Sequence, residues 1–158
     1  MKKTILTLTL CTPMVYANTL QFSQPESSDV ILSLSDLEAF PATTYHTSLP
    51  WLERPEKFMG VKLSTLLVNA YGEVPNTVEL RALNDYHAYL SKQDILKYQP
   101  IVAYKQNDHY IKIRHKGPYW LIYPLAEYPE INISHYHSQM VWQLSRIKIT
   151  RIKIEEDP

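Results

Sequence analysis

The chain has 158 residues, 16 basic and 16 acidic side chains, 3 glycines and a single cysteine. Balanced charge gives no electrostatic case for a nucleic-acid partner, and one cysteine rules out a disulfide within the chain. So few glycines leave no phosphate-cradling loop of the usual nucleotide-binding kinds.

Lys2 and Lys3 precede an apolar stretch from Ile5 to Val15, and Val15-Tyr16-Ala17 has the spacing of a small-x-small cleavage site. Residues 1–17 are therefore expected to be a secretory signal peptide, with a mature domain over 18–158 in the periplasm. The apolar run is too short to cross a bilayer core of roughly 30 Å. An uncleaved amphipathic anchor would have only Thr4, Thr7 and Thr9 for a polar face. Leu10 stands before Cys11 where lipidation wants a small residue. Cys11 lies in the segment to be removed, so the mature chain has no thiol, and losing Lys2 and Lys3 leaves it slightly acidic.

In chain order, Ser35-Asp36-Leu37-Glu38 has capping-box spacing and predicts a short helix ending about Phe40, before Pro41. Thr43 to Thr47 is β-prone and leads into Ser48-Leu49-Pro50-Trp51. A polar loop from Glu53 to Lys57 precedes Phe58-Met59-Gly60-Val61. Leu63, Leu66, Leu67 and Ala70 recur at helical spacing, and Gly72 sits where a helix end takes a left-handed residue. Thr77 to Leu83 and Tyr86 to Leu90 read as strands broken by the turn-forming pair Asn84-Asp85. Ser91 with Asp94 caps a helix to about Tyr98. Ile101 to Lys105 and Tyr110 to Ile113 flank a hairpin turn at Gln106-Asn107-Asp108. Trp120 to Tyr123 reads as a buried strand stopped by Pro124. The isoleucines at 147, 149, 152 and 154 alternate only if a bulge falls at Thr150. Strands mixed with short helices, without βαβ repetition, predict an α+β single domain with a mixed, barrel-like sheet.

Among reactive constellations, His135-Tyr136-His137 on a strand would set two imidazoles on one side, with His46, His87, His109 or His115 to complete a metal site. Solvated loop histidines are the alternative reading, and no His-Glu-x-x-His or cysteine ligand is present. No Gly-x-Ser-x-Gly elbow exists for nucleophilic catalysis. Asp85 beside Asn84, and Arg114 and Lys116 before an apolar strand, match what a guanidine-like ring with carbonyls calls for. They also read as a plain turn and a solvated strand edge. Trp51, Trp120 and Trp142 suit either a core or the face of a flat ligand.

Taken together, four stretches carry a resemblance. They are Phe58-x-Gly60-Val61-x-Leu63-x-x-Leu66-Leu67; Ala82-Leu83-Asn84-Asp85-Tyr86; Lys116-Gly117-Pro118-x-Trp120-Leu121-Ile122-Tyr123-Pro124; and Val141-Trp142-Gln143-Leu144-x-Arg146-Ile147. In order and spacing, the chain from about 20 to 150 resembles the oxidoreductase molybdopterin-binding domain of sulfite oxidase relatives. It is more similar still to the short exported branch that includes periplasmic pterin-binding regulators of the PruR type. The resemblance implies the sulfite-oxidase-like molybdopterin-binding fold. In catalytic relatives a thiolate on the loop after an early strand ligates molybdenum, a soft-donor role that no residue of Ser48-Leu49-Pro50-Trp51 can fill. Lys116 and Trp120 stand where the catalytic pattern has a histidine and an arginine, so two basic anchors for a cofactor phosphate are altered. What it implies is a pterin ligand, reduced as in a tetrahydropterin, and no molybdenum. Asp85 and Asn84 would meet the ring's amino-pyrimidine edge, Arg114, Lys116, Ser138 and Gln139 would line the pocket, and Trp51 or Tyr123 would pack on the ring. The implied role is a non-enzymatic sensor acting on the periplasmic domain of an inner-membrane cyclic di-GMP signalling protein. The alternatives are a molybdopterin-dependent oxidoreductase with an atypical metal shell and a degenerate domain used only for protein interaction.

Overall fold

The first and last strands of the fold lie side by side: β1 (Thr19–Ser23) runs parallel to β10 (Leu144–Ile149), with Gln21 opposite Arg146. The computed structural model describes residues 18–150; the expected signal peptide at 1–17 and the isoleucines at 152 and 154 lie outside them. Beyond β1 lies β2 (Val30–Ser33), and beyond β10 lie β5 (Thr77–Ala82) and β6 (His87–Ser91), all antiparallel, giving the order β2-β1-β10-β5-β6. Alternation sets the inner face of this first sheet: Leu20, Phe22, Val78, Leu80 and Leu90 are fully buried while their neighbours face out.

A second sheet is antiparallel throughout. It joins β3 (Thr43–Thr47), β4 (Glu56–Lys62) and β7 (Ile101–Gln106) in that order. Two short strands, β8 (His109–Tyr110) and β9 (Trp120–Ile122), then share the remaining edge of β7. Because β8 and β9 divide one edge, this sheet ends there, and the described residues form two separate sheets in place of the barrel-like closure expected. The expected α+β architecture holds without it.

The strongest helix signal is met. Helix α2 (Leu63–Tyr71) buries Leu63, Leu66 and Leu67 and ends at Gly72 with φ 80, a left-handed conformation glycine adopts without steric cost. From its last turn the Tyr71 hydroxyl reaches both the Ser23 carbonyl (3.1 Å) and the Ile147 carbonyl (2.9 Å), clamping β1 to β10. Helix α3 (Lys92–Tyr98) begins as expected, with Asp94 N donating to Ser91 Oγ at 3.1 Å.

Helix α1 (Leu34–Glu38) is capped two residues earlier than the sequence indicated. Ser33 N donates to Asp36 Oδ2 at 2.8 Å, and Glu38, the expected cap partner, instead pairs with Lys105 at 3.3 Å. The segment after Tyr110 is not strand: a 3-10 turn occupies Ile113–His115, and the chain doubles back so that Gly117 N donates to the Lys112 carbonyl. A Cβ at Gly117 would lie 1.8 Å from the Ile111 carbonyl oxygen, which is why that return needs glycine. An irregularity in β10 falls between Leu144 and Arg146, and Thr150 N donates to the Thr77 carbonyl; the register slip expected at Thr150 involves residues outside those described. Finally, His135 to His137 belong to helix α4 (Ser134–Gln139), not to a strand.

A seam joins the two sheets. Leu121 N donates to the Val141 carbonyl, Gln143 N to the Lys116 carbonyl and Leu144 N to the Tyr119 carbonyl, at 2.9–3.0 Å. The stretch entering β10 is thereby tied to the stretch entering β9, and the candidate site opens beside this seam.

Candidate functional site

Three loops and one helix end converge on a pocket of about 250 Å³, whose walls include Trp51, Asn84, Tyr86, His137, Ser138 and Trp142. Each arrives for a local reason. After β3, Leu49 buries its side chain and Leu52 N donates back to the Leu49 carbonyl at 3.0 Å. This closes a turn with Pro50 at its second position, where its fixed φ fits, and presents Trp51 outward from the third. Trp51 is 39% exposed. Its ring centroid lies 5.7 Å from Trp142, 6.1 Å from Trp120 and 6.1 Å from His137.

The hairpin between β5 and β6 supplies the polar wall. Ala82 N donates to the Tyr86 carbonyl and Asp85 N to the Ala82 carbonyl, leaving Asp85 left-handed at φ 65. A three-residue loop ending in a left-handed residue is a common hairpin closure, and Asp adopts it at modest cost. Within it, Asn84 Oδ1 accepts from Tyr86 N at 3.2 Å, and the Tyr86 hydroxyl donates to the Ser138 carbonyl at 2.7 Å, bracing the hairpin against α4.

Lys116 contributes charge from behind the tryptophans. Its backbone is left-handed at φ 74, and its Nζ stands 5.0 Å from the Trp120 ring and 5.2 Å from Trp142. Such a cation against indole faces is attracted by the ring quadrupole. Trp120 itself is fully buried, donating from Nε1 to the Met140 carbonyl at 3.1 Å.

The structure thus brings together Trp51, Asn84 and Ser138 of the residues singled out from sequence, with Lys116 against the same rings. It places the others elsewhere. The Asp85 side chain is 85% exposed, 3.5 Å from Arg81, and is not part of the pocket lining. Arg114 lies in the 3-10 turn, where its Nε donates to His115 Nε2 at 3.1 Å, beside a different depression. Tyr123 and Gln139 are core: the Tyr123 hydroxyl donates to Gln139 Oε1 at 2.8 Å, and Gln139 Nε2 donates to the Tyr89 carbonyl at 3.1 Å. Burial holds the Tyr123 hydroxyl protonated far above the ordinary tyrosine range. Tyr86, His137 and Trp142 are not among the expected pterin contacts, although Trp142 is one of the three tryptophans weighed as a ligand face, His137 one of the weighed imidazoles, and Tyr86 sits inside one of the four quoted stretches.

On a helix, residues two apart point to opposite sides. His137 accordingly meets Asn132 Oδ1 at 2.8 Å and the Trp51 edge, while His135 lies 3.2 Å from Gln139 Nε2. The expected pair of imidazoles on one side does not form. Among the described residues no three His, Cys, Asp or Glu side chains are placed to hold a metal ion. The pocket's donor set of amide, hydroxyl, imidazole and indole contains no thiolate, and the chain's one cysteine is Cys11, so molybdenum held by a protein thiolate does not fit these residues. No helix among the described residues is long and apolar enough to cross a membrane.

The fold these elements define is the sulfite-oxidase-like one. The crystal structure of the sulfane dehydrogenase SoxCD from Paracoccus pantotrophus is similar to it, with a TM-score of 0.62 and 17% identity over 84% of this chain. The match covers 38% of that chain, so the protein spans well under half the length of this neighbour. No protein-family model matches the sequence, and no curated protein matches it significantly.

Proposed function

We propose that this chain is an exported pterin-binding protein that reports its ligand to a partner and carries out no metal-dependent redox turnover. The observation that carries this reading is the pocket walled by Trp51 and Trp142, with Trp51 on the loop where catalytic sulfite oxidase relatives bear their thiolate. Indole walls favour a flat ring by stacking and by apolar burial. The volume, below the roughly 300–1,000 Å³ of drug-sized sites, is on the scale of a bicyclic heterocycle and not of a dinucleotide. The Asn84 amide offers both an acceptor and donors to an amino-pyrimidine edge. Lys116 behind the rings favours an electron-rich one such as a reduced tetrahydropterin. The partner would be the periplasmic domain of an inner-membrane protein that makes or degrades cyclic di-GMP.

Protein purified from the periplasm and mildly denatured tests this by mass spectrometry with metal analysis. The expected result is a pterin near one-to-one with no molybdenum. Stoichiometric molybdenum with a pterin phosphate would overturn it in favour of an oxidoreductase with an unusual metal shell. An empty pocket that also fails to take up added tetrahydrobiopterin would remove the pterin and leave an interaction module.

A further inference from the structure

The outer face of the first sheet overlooks a second, larger opening. Gln21 of β1, Ile31 of β2 and Arg146 of β10 are register partners, so their side chains stand in one row on the face away from the core. The loop carrying Ile113 and Pro118 forms the facing wall of a cleft of about 620 Å³. Three exposed apolar side chains surround it: Ile31 at 45%, Leu83 at 55% and Ile113 at 43%. Single exposed apolar residues are ordinary, whereas several converging on one concavity mark a contact surface.

The charge around the cleft has one prevailing sign. Lys112 and Arg114 flank Ile113 in the adjoining depression, and Arg146 donates from Nε to Gln21 Oε1 at 3.0 Å within the cleft. Among the described residues none of these three cations pairs with a carboxylate, all five ion pairs falling elsewhere. Asp29 is the one carboxylate lining the cleft, and the Gln21 amide donates to it.

The cleft and the tryptophan pocket are two sides of one wall. Leu83 and Leu144 line the cleft, while Asn84 and Trp142 line the pocket. Gln143, left-handed at φ 50, ties the wall together. Its N–H donates to the Lys116 carbonyl, its carbonyl accepts from Leu83 N, and its side-chain amide donates to the Ile113 carbonyl at 3.0 Å. A ligand that repositions Trp142 or Asn84 therefore acts on Leu83, Ile113 and Leu144 through a contiguous hydrogen-bonded network.

We propose that the cleft is the docking face for an acidic segment of a partner protein bearing apolar side chains. Its affinity is set by the pocket's occupant through Gln143; only this coupling rests on the pterin reading. The charge of the three unpaired cations chooses the acidic partner over the other occupants an apolar cleft can take.

Fluorescence anisotropy on the exported chain tests this with a labelled synthetic peptide alternating leucine and glutamate, against its leucine–lysine twin. The acidic peptide should bind at least about tenfold more tightly than the twin and weaken with salt. Lys112→Glu with Arg114→Glu, both exposed and outside the core, should abolish that preference. Added tetrahydrobiopterin should shift the acidic peptide's affinity, and Gln143→Ala should remove the shift. Equal binding of the two peptides, or none, overturns the docking face. So does a concentration-dependent dimer lost on Ile113→Asp, or binding to phosphatidylglycerol vesicles without preference between the peptides. If the acidic peptide binds selectively but tetrahydrobiopterin does not bind at all, the pterin reading fails and the docking face stands. If tetrahydrobiopterin binds and leaves peptide affinity unchanged, the coupling fails alone.

Discussion

Two aromatic clusters stand within this small fold, and they are built to opposite ends. One gathers Tyr98, Tyr123, Tyr128 and Tyr136, with ring centroids 5.1–6.5 Å apart, edge to face. Its polar tips are turned inward or tied down: Tyr123 donates to Gln139, Tyr136 to Asp94 at 3.1 Å, and Lys97 donates to the Tyr98 hydroxyl at 2.8 Å. The other gathers Trp51, Trp120 and Trp142, opens to solvent at Trp51, and holds a lysine against two of its rings. Aromatic rings serve packing where the hydroxyls of Tyr98, Tyr123 and Tyr136 are bonded, and in the proposed reading they form a binding surface where ring edges are left uncovered. Among the described residues no buried side-chain nitrogen or oxygen lacks a hydrogen bond, so the distinction is one of exposure, not of unsatisfied groups.

Substitutions can break this comparison, and the largest effect falls where the two roles meet. Trp120 is fully buried under Trp51 and stacks edge-on against Phe58 at 5.5 Å, so it belongs to the core despite its place in the tryptophan group. Trp120→Ala should cost about 3–5 kcal/mol in urea unfolding. A loss near zero would mean that the whole tryptophan group is surface. Tyr123→Phe removes one hydroxyl and strands Gln139 Oε1, a buried side-chain acceptor. Roughly 1–3 kcal/mol of stability should go, while pterin affinity measured by titration calorimetry stays unchanged. A drop in affinity would put Tyr123 back beside the ligand. Trp51→Ala should show the reverse pattern. Stability should fall by less than in Trp120→Ala, because Trp51 is 39% exposed where Trp120 is fully buried. Pterin affinity should fall at least about tenfold.

How far the two clusters could be told apart beforehand depends on sequence distance. The Asn84-Asp85 turn, the α2 pattern ending at Gly72 and the Ser91 cap are local signals, and all three elements stand where those residues put them. Strands β1 and β2 escaped notice because β1 is fixed by a parallel partner at the far end of the chain, a pairing that leaves no local pattern. Helix α4 was misread as strand since His-Tyr-His-Ser-Gln has no apolar period; it is held by Tyr136 reaching Asp94 and Gln139 reaching Tyr89, contacts made across the fold. Tyr123 and Gln139 are the residue types a polar ligand would also use, and only their mutual bond in the core separates the two roles. Trp51, by contrast, sits in a short turn whose Pro50 is legible in the sequence.

The smallest effect sharpens the comparison through pH. Burial raises the Tyr123, Tyr119 and Tyr71 hydroxyls well above the ordinary tyrosine value of 10.0, and pushes Tyr45 up to about 12. In the unfolded chain such hydroxyls ionise near pH about 10, but in the folded protein only at higher pH. Above that point the unfolded state holds fewer protons than the native one, so stability falls as pH rises, and below it these groups contribute no slope. Indole has no proton to lose in this range, so the three tryptophans themselves add nothing to the alkaline limb. Urea midpoints followed from neutral pH upward should therefore decline only beyond about pH 10. Tyr123→Phe, less stable at neutral pH, should decline less steeply there, while Trp51→Ala keeps the parent slope. A parent-like slope in Tyr123→Phe would show that its hydroxyl reaches water, and the tyrosine cluster would then be as open as the tryptophan one.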